Sequence, residues 1–153
     1  IIFFGASSIL MVSYPLFIKY QKNKKRLKQT LFLSTAFVFT ITILGIIGFR
    51  LFPNFFIYTL YGKQYQGLAK YMFAFAVFTG LLAVFNLFTR FLLATEEKVI
   101  GFIAAITAVA QLILIYFNHS SIDAIIRNSI FALLIGVCLA GIWIVFKFFK
   151  NEK

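Results

Sequence analysis

Arg90 and Asn86 are the two polar side chains whose type and spacing best fit a chemical role. They lie four residues apart, which puts them on nearly the same face of a helix. A guanidinium group binds phosphate through two parallel hydrogen bonds, and an asparagine amide adds another donor one turn away. A cavity lined by both side chains would therefore bind an anionic headgroup. Two alternatives stay open: Arg90 extends to the headgroups at the nearer membrane surface, and Asn86 bonds to a neighbouring helix.

Gln111 is the third candidate for such a cavity, because it lies in the body of another long apolar segment. A polar side chain at that depth is costly, and it marks either a transport pathway or a hydrogen bond between helices. Both interpretations stay open for Gln111.

Residues that commonly act in catalysis or bind metals are scattered along the chain. These are His119, Cys138, Asp123, Glu96, Glu97 and Glu152. His119 and Asp123 are predicted on one side of a membrane and Glu96 and Glu97 on the other, with about 30 Å of hydrocarbon between them. The sequence contains neither a metal-ligand spacing nor a phosphate-binding glycine loop. We therefore expect no enzymatic activity, no cofactor and no metal site.

The elements that position these residues are five stretches without a charged side chain. They run from 1 to 18, 29 to 49, 71 to 89, 99 to 122 and 128 to 146, with lengths of 18, 21, 19, 24 and 19 residues. A helix rises about 1.5 Å per residue, so about 20 residues cross a bilayer. We predict an all-α, polytopic transmembrane helical bundle in one unit, with spans over about 1–18, 29–49, 70–94, 99–117 and 128–146.

Composition supports a membrane protein over a soluble helical bundle. Hydrophobic residues make up 62% of the chain and its mean hydropathy is +0.97. Soluble helices need a polar face, and these stretches are apolar all round. An open sheet is excluded, because lipid offers no hydrogen-bond partner to unpaired backbone groups.

The net charge of +11 comes from lysines and arginines whose placement fits a membrane topology. If the loop from Lys19 to Lys28 is cytoplasmic and the spans alternate, eleven basic residues fall inside and four outside. Short loops on the cytoplasmic side of membrane proteins show this bias. We therefore expect a multi-pass membrane protein, with lipid as a partner and no nucleic-acid partner.

Two further features are predicted near the ends of spans. Pro15 lacks a backbone donor and predicts a kink close to the end of the first span. The kink is either a helix-end irregularity or a bend that shapes a cavity. The segment 53–62 is too short to cross and is rich in Phe and Tyr, which predicts a short amphipathic helix at the membrane interface.

Small residues predict where neighbouring spans approach closely. Gly45 and Gly48 share a face of the second span. The fourth span carries Gly101, Ala104, Ala105 and Ala108, at spacings typical of tight helix packing. We therefore expect both spans to pack closely against a neighbour through these residues.

Three short motifs remain. Tyr14-Pro15 precedes the basic loop, Leu60-Tyr61-Gly62-Lys63-Gln64-Tyr65 precedes the third span, and Leu93-Ala94-Thr95-Glu96-Glu97-Lys98 follows it. With the order of the spans, they resemble the carboxy-terminal lobe of the bacterial polysaccharide-export flippases, in the multidrug, oligosaccharidyl-lipid and polysaccharide exporter superfamily. Relatives often carry a glycine in the turn where this chain has Glu96-Glu97.

The resemblance implies a transporter of two helical lobes, of which these five spans would be most of one. The full protein would flip a polyprenyl-diphosphate-linked oligosaccharide across the membrane by alternating access. Its partners would be that lipid-linked oligosaccharide and the amino-terminal lobe of the same protein. The chain begins within an apolar run, at Ile1, so we interpret it as a fragment.

Two other functions stay open. One is a cation-coupled multidrug exporter of the same superfamily, and the other is a non-transporting membrane scaffold subunit. No carboxylate lies within a predicted span. Because ion-coupled pumps commonly use a buried carboxylate, coupling through this part of a transporter is disfavoured.

Overall fold

The computed structural model describes residues 2–150 and the side chains of residues 2–148. Ile1, Glu152 and Lys153, which enter the predictions above, lie outside this range. The helices are α1 (Ile2–Tyr20), α2 (Lys24–Leu51), α3 (Pro53–Tyr61), a 3₁₀ helix (Lys63–Tyr71), α4 (Met72–Ala94), α5 (Val99–Phe117) and α6 (Ile122–Lys150).

Five of these segments are long and apolar enough to cross a membrane: α1, α2, the 3₁₀ helix with α4, α5, and α6. The described part of the chain contains no strand. The predicted all-α bundle of five spans is therefore confirmed, and the chain is a multi-pass membrane protein. A short helix, α3, occupies the segment for which the sequence predicts an interfacial helix.

Several helices extend beyond the charge-free stretches. α2 begins at Lys24, where the Asn23 side chain caps the helix by accepting a hydrogen bond from the Arg26 N–H at 3.1 Å. α6 begins at Ile122, and the Ser121 hydroxyl accepts from the Ala124 N–H at 3.1 Å. Charges limit the part of a helix that sits in hydrocarbon, whereas capping side chains set where its hydrogen bonds begin.

α4 is the central helix, because it packs on α1, α2 and α6. Its buried residues recur at helical spacing and include Ala76, Gly80, Ala83, Leu87 and Phe91. In contrast, α5 packs mainly on α6. The bundle therefore has a four-helix body of α1, α2, α4 and α6, with α5 on its edge.

Glycines mark the closest approaches within this body. A Cβ on Gly80 of α4 would collide with the Thr42 side chain of α2, and one on Gly45 of α2 would collide with Ile2 of α1. Gly48 instead faces Phe56 of α3, whose ring would lie 3.6 Å from an added Cβ. Gly45 therefore lies against α1, and Gly48 lies against α3.

The predicted close packing of α5 through its small residues is wrong for the described chain. Gly101, Ala105 and Ala108 are exposed, and nothing lies within 4 Å of a Cβ built on Gly101. α5 instead buries Ile100, Ile103 and Thr107. An edge helix has one neighbour, and bulkier side chains on the adjacent face make that contact.

α1 runs through Pro15 to Tyr20 without a break. Two residues before the proline, the buried hydroxyls of Ser13 and Ser34 lie 2.7 Å apart and join α1 to α2. Beyond it, the fully buried rings of Phe17 and Phe91 meet edge to face, 5.3 Å between centroids. This end of α1 is therefore fixed to both α2 and α4.

Candidate functional site

Arg90 and Asn86 lie on the flank of the buried stripe of α4. Their neighbours Leu87 and Phe91 are buried in the core, and both polar side chains are half-buried. Arg90 is four residues before Ala94, the last residue of α4, so its Cα is roughly 6 Å from the helix end. The pair therefore shares one helix face, as the sequence predicts, near the end of the bundle that carries the Lys19–Lys28 loop.

Within residues 2–148, Arg90 makes no hydrogen bond, ion pair or ring contact. Asn86 donates from Nδ2 to the Leu82 carbonyl of its own helix at 2.9 Å, rather than to a neighbouring helix. The guanidinium group thus keeps its full donor capacity, and the Asn86 amide keeps one N–H.

Gln111 lies away from this pair. Its Nε2 donates to the Ser129 hydroxyl of α6 at 3.0 Å. This bond between helices is the alternative that the sequence leaves open for Gln111. Gln111 is also twelve residues into α5, roughly 18 Å from the helix end near Arg90. The structure therefore brings together two of the three predicted site residues.

The two ends of the bundle differ in the residues that form their turns. We call the end formed by residues 21–23, residues 95–98 and the last turns of α6 the basic end. The opposite end, formed by residues 52–71 and 118–121, is the aromatic end. At the basic end a polar cavity of about 370 Å³ is lined by Gln21, Lys22, Leu27, Thr95, Glu96 and Lys147. The α1–α2 connection, the α4–α5 turn and the last turns of α6, which are distant in sequence, therefore meet there.

Glu97 is the centre of a polar contact at the basic end that the sequence predictions missed. Lys147 Nζ lies 2.6 Å from Glu97 Oε1, and it also donates to the Thr95 carbonyl at 3.3 Å. Trp143 Nε1 donates to Glu97 Oε2 at 3.3 Å. Trp143 and Lys147 are four residues apart and share a face of α6, which was the available signal.

The α4–α5 turn has the backbone that favours glycine. Glu96 has φ of 59°, while the Glu96 and Glu97 N–H groups donate to the Leu93 and Leu92 carbonyls at 3.0 and 2.9 Å. This pattern is a Schellman C-cap, in which the left-handed residue is usually glycine. Glu96 therefore occupies the position of this turn at which glycine is usual.

At the aromatic end, Asn128 joins α6 to the last turn of α5. Its buried Nδ2 donates to the carbonyls of Leu114 at 2.9 Å and Asn118 at 2.8 Å. The Leu114 carbonyl also accepts from the Asn118 backbone N–H at 3.1 Å, so Asn128 adds a second donor there, whereas the Asn118 carbonyl lies beyond the last residue of α5. The sequence alone gives no indication of this contact.

The cavities formed by residues 2–148 include one at the basic end and three at the aromatic end. None of these four is lined by Arg90, Asn86 or Gln111. Within the described residues, no three His, Cys, Asp or Glu side chains come together to hold a metal ion. His119 contacts the Tyr116 carbonyl at 2.9 Å, and Cys138 is exposed.

Comparisons with protein-family models, with curated proteins and with solved structures found no match.

Proposed function

We propose that this chain is part of a membrane transporter that flips a polyprenyl-diphosphate-linked oligosaccharide across the bacterial cytoplasmic membrane. The substrate class rests on the resemblance of residues 14–15, 60–65 and 93–98 to polysaccharide-export flippases. The partner of these five spans in the proposed transporter is an amino-terminal lobe.

The observation that carries the proposal is the free guanidinium group of Arg90. A charged side chain inside a membrane span is costly, and such residues usually pair with another group or face a polar pathway. Arg90 has no such partner within residues 2–148. A diphosphate would supply two acceptor groups in the planar geometry that the guanidinium fork matches.

Asn86 extends this site by one helical turn towards the middle of the membrane. Its remaining amide N–H and its carbonyl oxygen both suit the hydroxyl and phosphate groups of a glycan headgroup. In the proposed transporter, the headgroup passes from Arg90 to Asn86 as it enters the cavity between the lobes, while the polyprenyl chain stays in lipid. Alternating access of the two lobes completes the transfer.

The test replaces Arg90 in the full-length protein and measures glycan at the cell surface. Losing a charged hydrogen bond costs about 1.5–3 kcal/mol, so Arg90→Ala should lower export about tenfold or more. Arg90→Lys keeps the charge without the fork and should recover part of the export. Arg127→Ala is the matched control, because Arg127 is exposed at the other end of the bundle.

Export that is unchanged in Arg90→Ala, with normal amounts of protein in the membrane, would remove the proposed role of Arg90. Reconstituted full-length protein distinguishes the other functions. Drug export that follows a sodium or proton gradient would identify a cation-coupled exporter. Absence of any lipid-linked glycan transfer would favour the scaffold.

A further inference from the structure

The aromatic end contains an apolar cavity of about 580 Å³ beneath the 3₁₀ helix. Its walls include Tyr61 of α3, Tyr65, Leu68 and Tyr71 of the 3₁₀ helix, and Phe75 of α4. Ligand cavities in proteins range from about 300 to 1,000 Å³ and have mainly apolar and aromatic walls. The size and lining of this cavity therefore suit one apolar chain of a small amphiphile.

The 3₁₀ helix explains why three of its residues face the cavity. A 3₁₀ helix has about three residues per turn, so side chains three apart lie above one another. Tyr65, Leu68 and Tyr71 follow this spacing, and all three line the cavity. Gly62, with φ of 91°, ends α3 and allows the chain to turn into this second helix. The local backbone thus gives the segment one continuous apolar face.

A positive charge lies beside this apolar wall. The Lys70 ammonium is 4.8 Å from the centroid of the Tyr71 ring, which forms part of the wall. Lys63, at the start of the same helix, lies 5.9 Å from the Tyr58 ring. The acidic residue of this end, Asp123, lines a separate depression together with Arg127.

We propose that this cavity holds an acyl chain of an anionic membrane phospholipid, with the lipid phosphate at Lys70. The inference requires only that the chain sits in a membrane, and it is independent of the transport function proposed above. Lys63, in the first turn of the same helix, adds a second positive charge to this segment. The 3₁₀ helix thereby becomes a lipid-binding element of the bundle.

Charge complementarity favours this occupant over others. The interior offers an acyl chain an apolar surface, and the rim offers a phosphate a cation. A zwitterionic lipid such as phosphatidylcholine would also fill the cavity and bring a phosphate, but its choline ammonium would offset that charge and repel Lys70. Basic residues close to a membrane surface favour anionic lipids by about 1 kcal/mol each, which corresponds to about five-fold in affinity.

The experiment measures phospholipid binding to the purified chain in neutral detergent by native mass spectrometry. Phosphatidylglycerol and phosphatidylcholine with identical acyl chains are titrated separately. We expect phosphatidylglycerol to bind about five-fold more tightly, and Lys70→Gln to abolish that preference. Arg127→Gln, which removes one exposed positive charge from the same end, should leave the preference unchanged. Equal binding of the two lipids, or an equal effect of Arg127→Gln, would overturn the proposal.

Acyl-chain position is a second, independent readout. Phosphatidylglycerol with a photoreactive diazirine in its acyl chain should label the peptide that contains Tyr65, Leu68 and Tyr71. Leu68→Trp fills the cavity and should lower labelling by this lipid. A helical circular dichroism spectrum shows that the variant folds. Labelling confined to other helices, or undiminished in the Leu68→Trp variant, would overturn the proposal.

Discussion

α4 and α5 are both apolar helices with glycine and alanine at helical spacing, but only α4 buries these residues. Ala76, Gly80 and Ala83 of α4 lie in the core, and Gly80 touches the Thr42 side chain of α2. Gly101 of α5 is exposed with open space above it. Small residues therefore allow a neighbouring helix to approach closely but do not attract one. Whether a helix packs there depends on how many helices surround the stripe.

The two helices are consequently held in different ways. Three neighbours surround α4, so its position follows from the fit of side chains. α5 has mainly α6 beside it, and lipid tails provide no hydrophobic drive for helices to associate. Polar contacts with α6 hold α5 near both ends, from Glu97 in the preceding turn and from Asn128 at its last turn. α4 is thus fixed by the fit of side chains on three sides, whereas α5 is held by hydrogen bonds near both ends and by one close fit, of Thr107 against Gly136 of α6.

The largest expected effect comes from breaking the fit of α4. In Gly80→Val the new side chain collides with Thr42, whose branched side chain has little freedom to move. Overpacking of this kind lowers the free energy of unfolding by about 3 kcal/mol. An SDS titration followed by circular dichroism measures this change.

Gly101→Val is the matched control, because the same residue is added to α5 where space is open. We expect its free energy of unfolding to stay within about 0.5 kcal/mol of the original protein. Equal destabilisation by the two valines would contradict the different packing of α4 and α5. A smaller variant, Gly80→Ala, can be combined with Thr42→Ser. If the second substitution restores part of the lost free energy of unfolding, the collision is with the methyl group of Thr42.

The second effect comes from releasing α5 at the aromatic end. Asn128→Ala removes two hydrogen bonds and leaves the Leu114 carbonyl and the Asn118 carbonyl with one donor fewer. Hydrogen bonds between membrane helices average about 0.6 kcal/mol each, so losing two of them should cost about 1 kcal/mol. The same SDS titration measures it.

Gln111→Ala provides the comparison for Asn128→Ala, because it removes a single bond to Ser129 on the same pair of helices. Hydrogen bonds between membrane helices average about 0.6 kcal/mol, so its effect should be clearly smaller. A larger loss in Gln111→Ala would show that α5 is held at its middle rather than at its last turn.

Much of this architecture is predictable from charge and length, since uncharged stretches of about 20 residues have few alternatives to crossing a bilayer. The shared face of Asn86 and Arg90 also follows from their spacing alone. The partners of Gln111 and Glu97 do not, because Ser129 and Lys147 are reached only when the rotation of α6 is known. The prediction that the small residues of α5 pack against a neighbour is wrong for the same reason. Their spacing shows that they share one face of the helix, but it does not show whether that face points towards another helix.

The third prediction concerns the turn that leads from α4 into α5. Glu96 adopts a left-handed conformation that costs a side chain about 1–2 kcal/mol and costs glycine almost nothing. Glu96→Gly should therefore raise the free energy of unfolding by about 1 kcal/mol. Glu96→Ala removes the same charge but keeps a Cβ, so it should give no gain. A similar gain in both variants would attribute the effect to charge rather than to backbone conformation.

The smallest effect is expected at the basic end, from the ion pair of Lys147 and Glu97. Both side chains are partly exposed, at 19% and 28%, and such pairs contribute about 0.5 kcal/mol. A double-mutant cycle with Lys147→Met and Glu97→Gln measures the coupling, and moderate salt should weaken it only slightly, since partly buried pairs are incompletely screened. Glutamine at position 97 keeps an acceptor for Trp143, so the cycle isolates the lysine. A coupling energy of zero would mean that the left-handed turn, and not the ion pair, constrains α5 at this end. Asn128 would then provide the principal polar contact between α5 and α6.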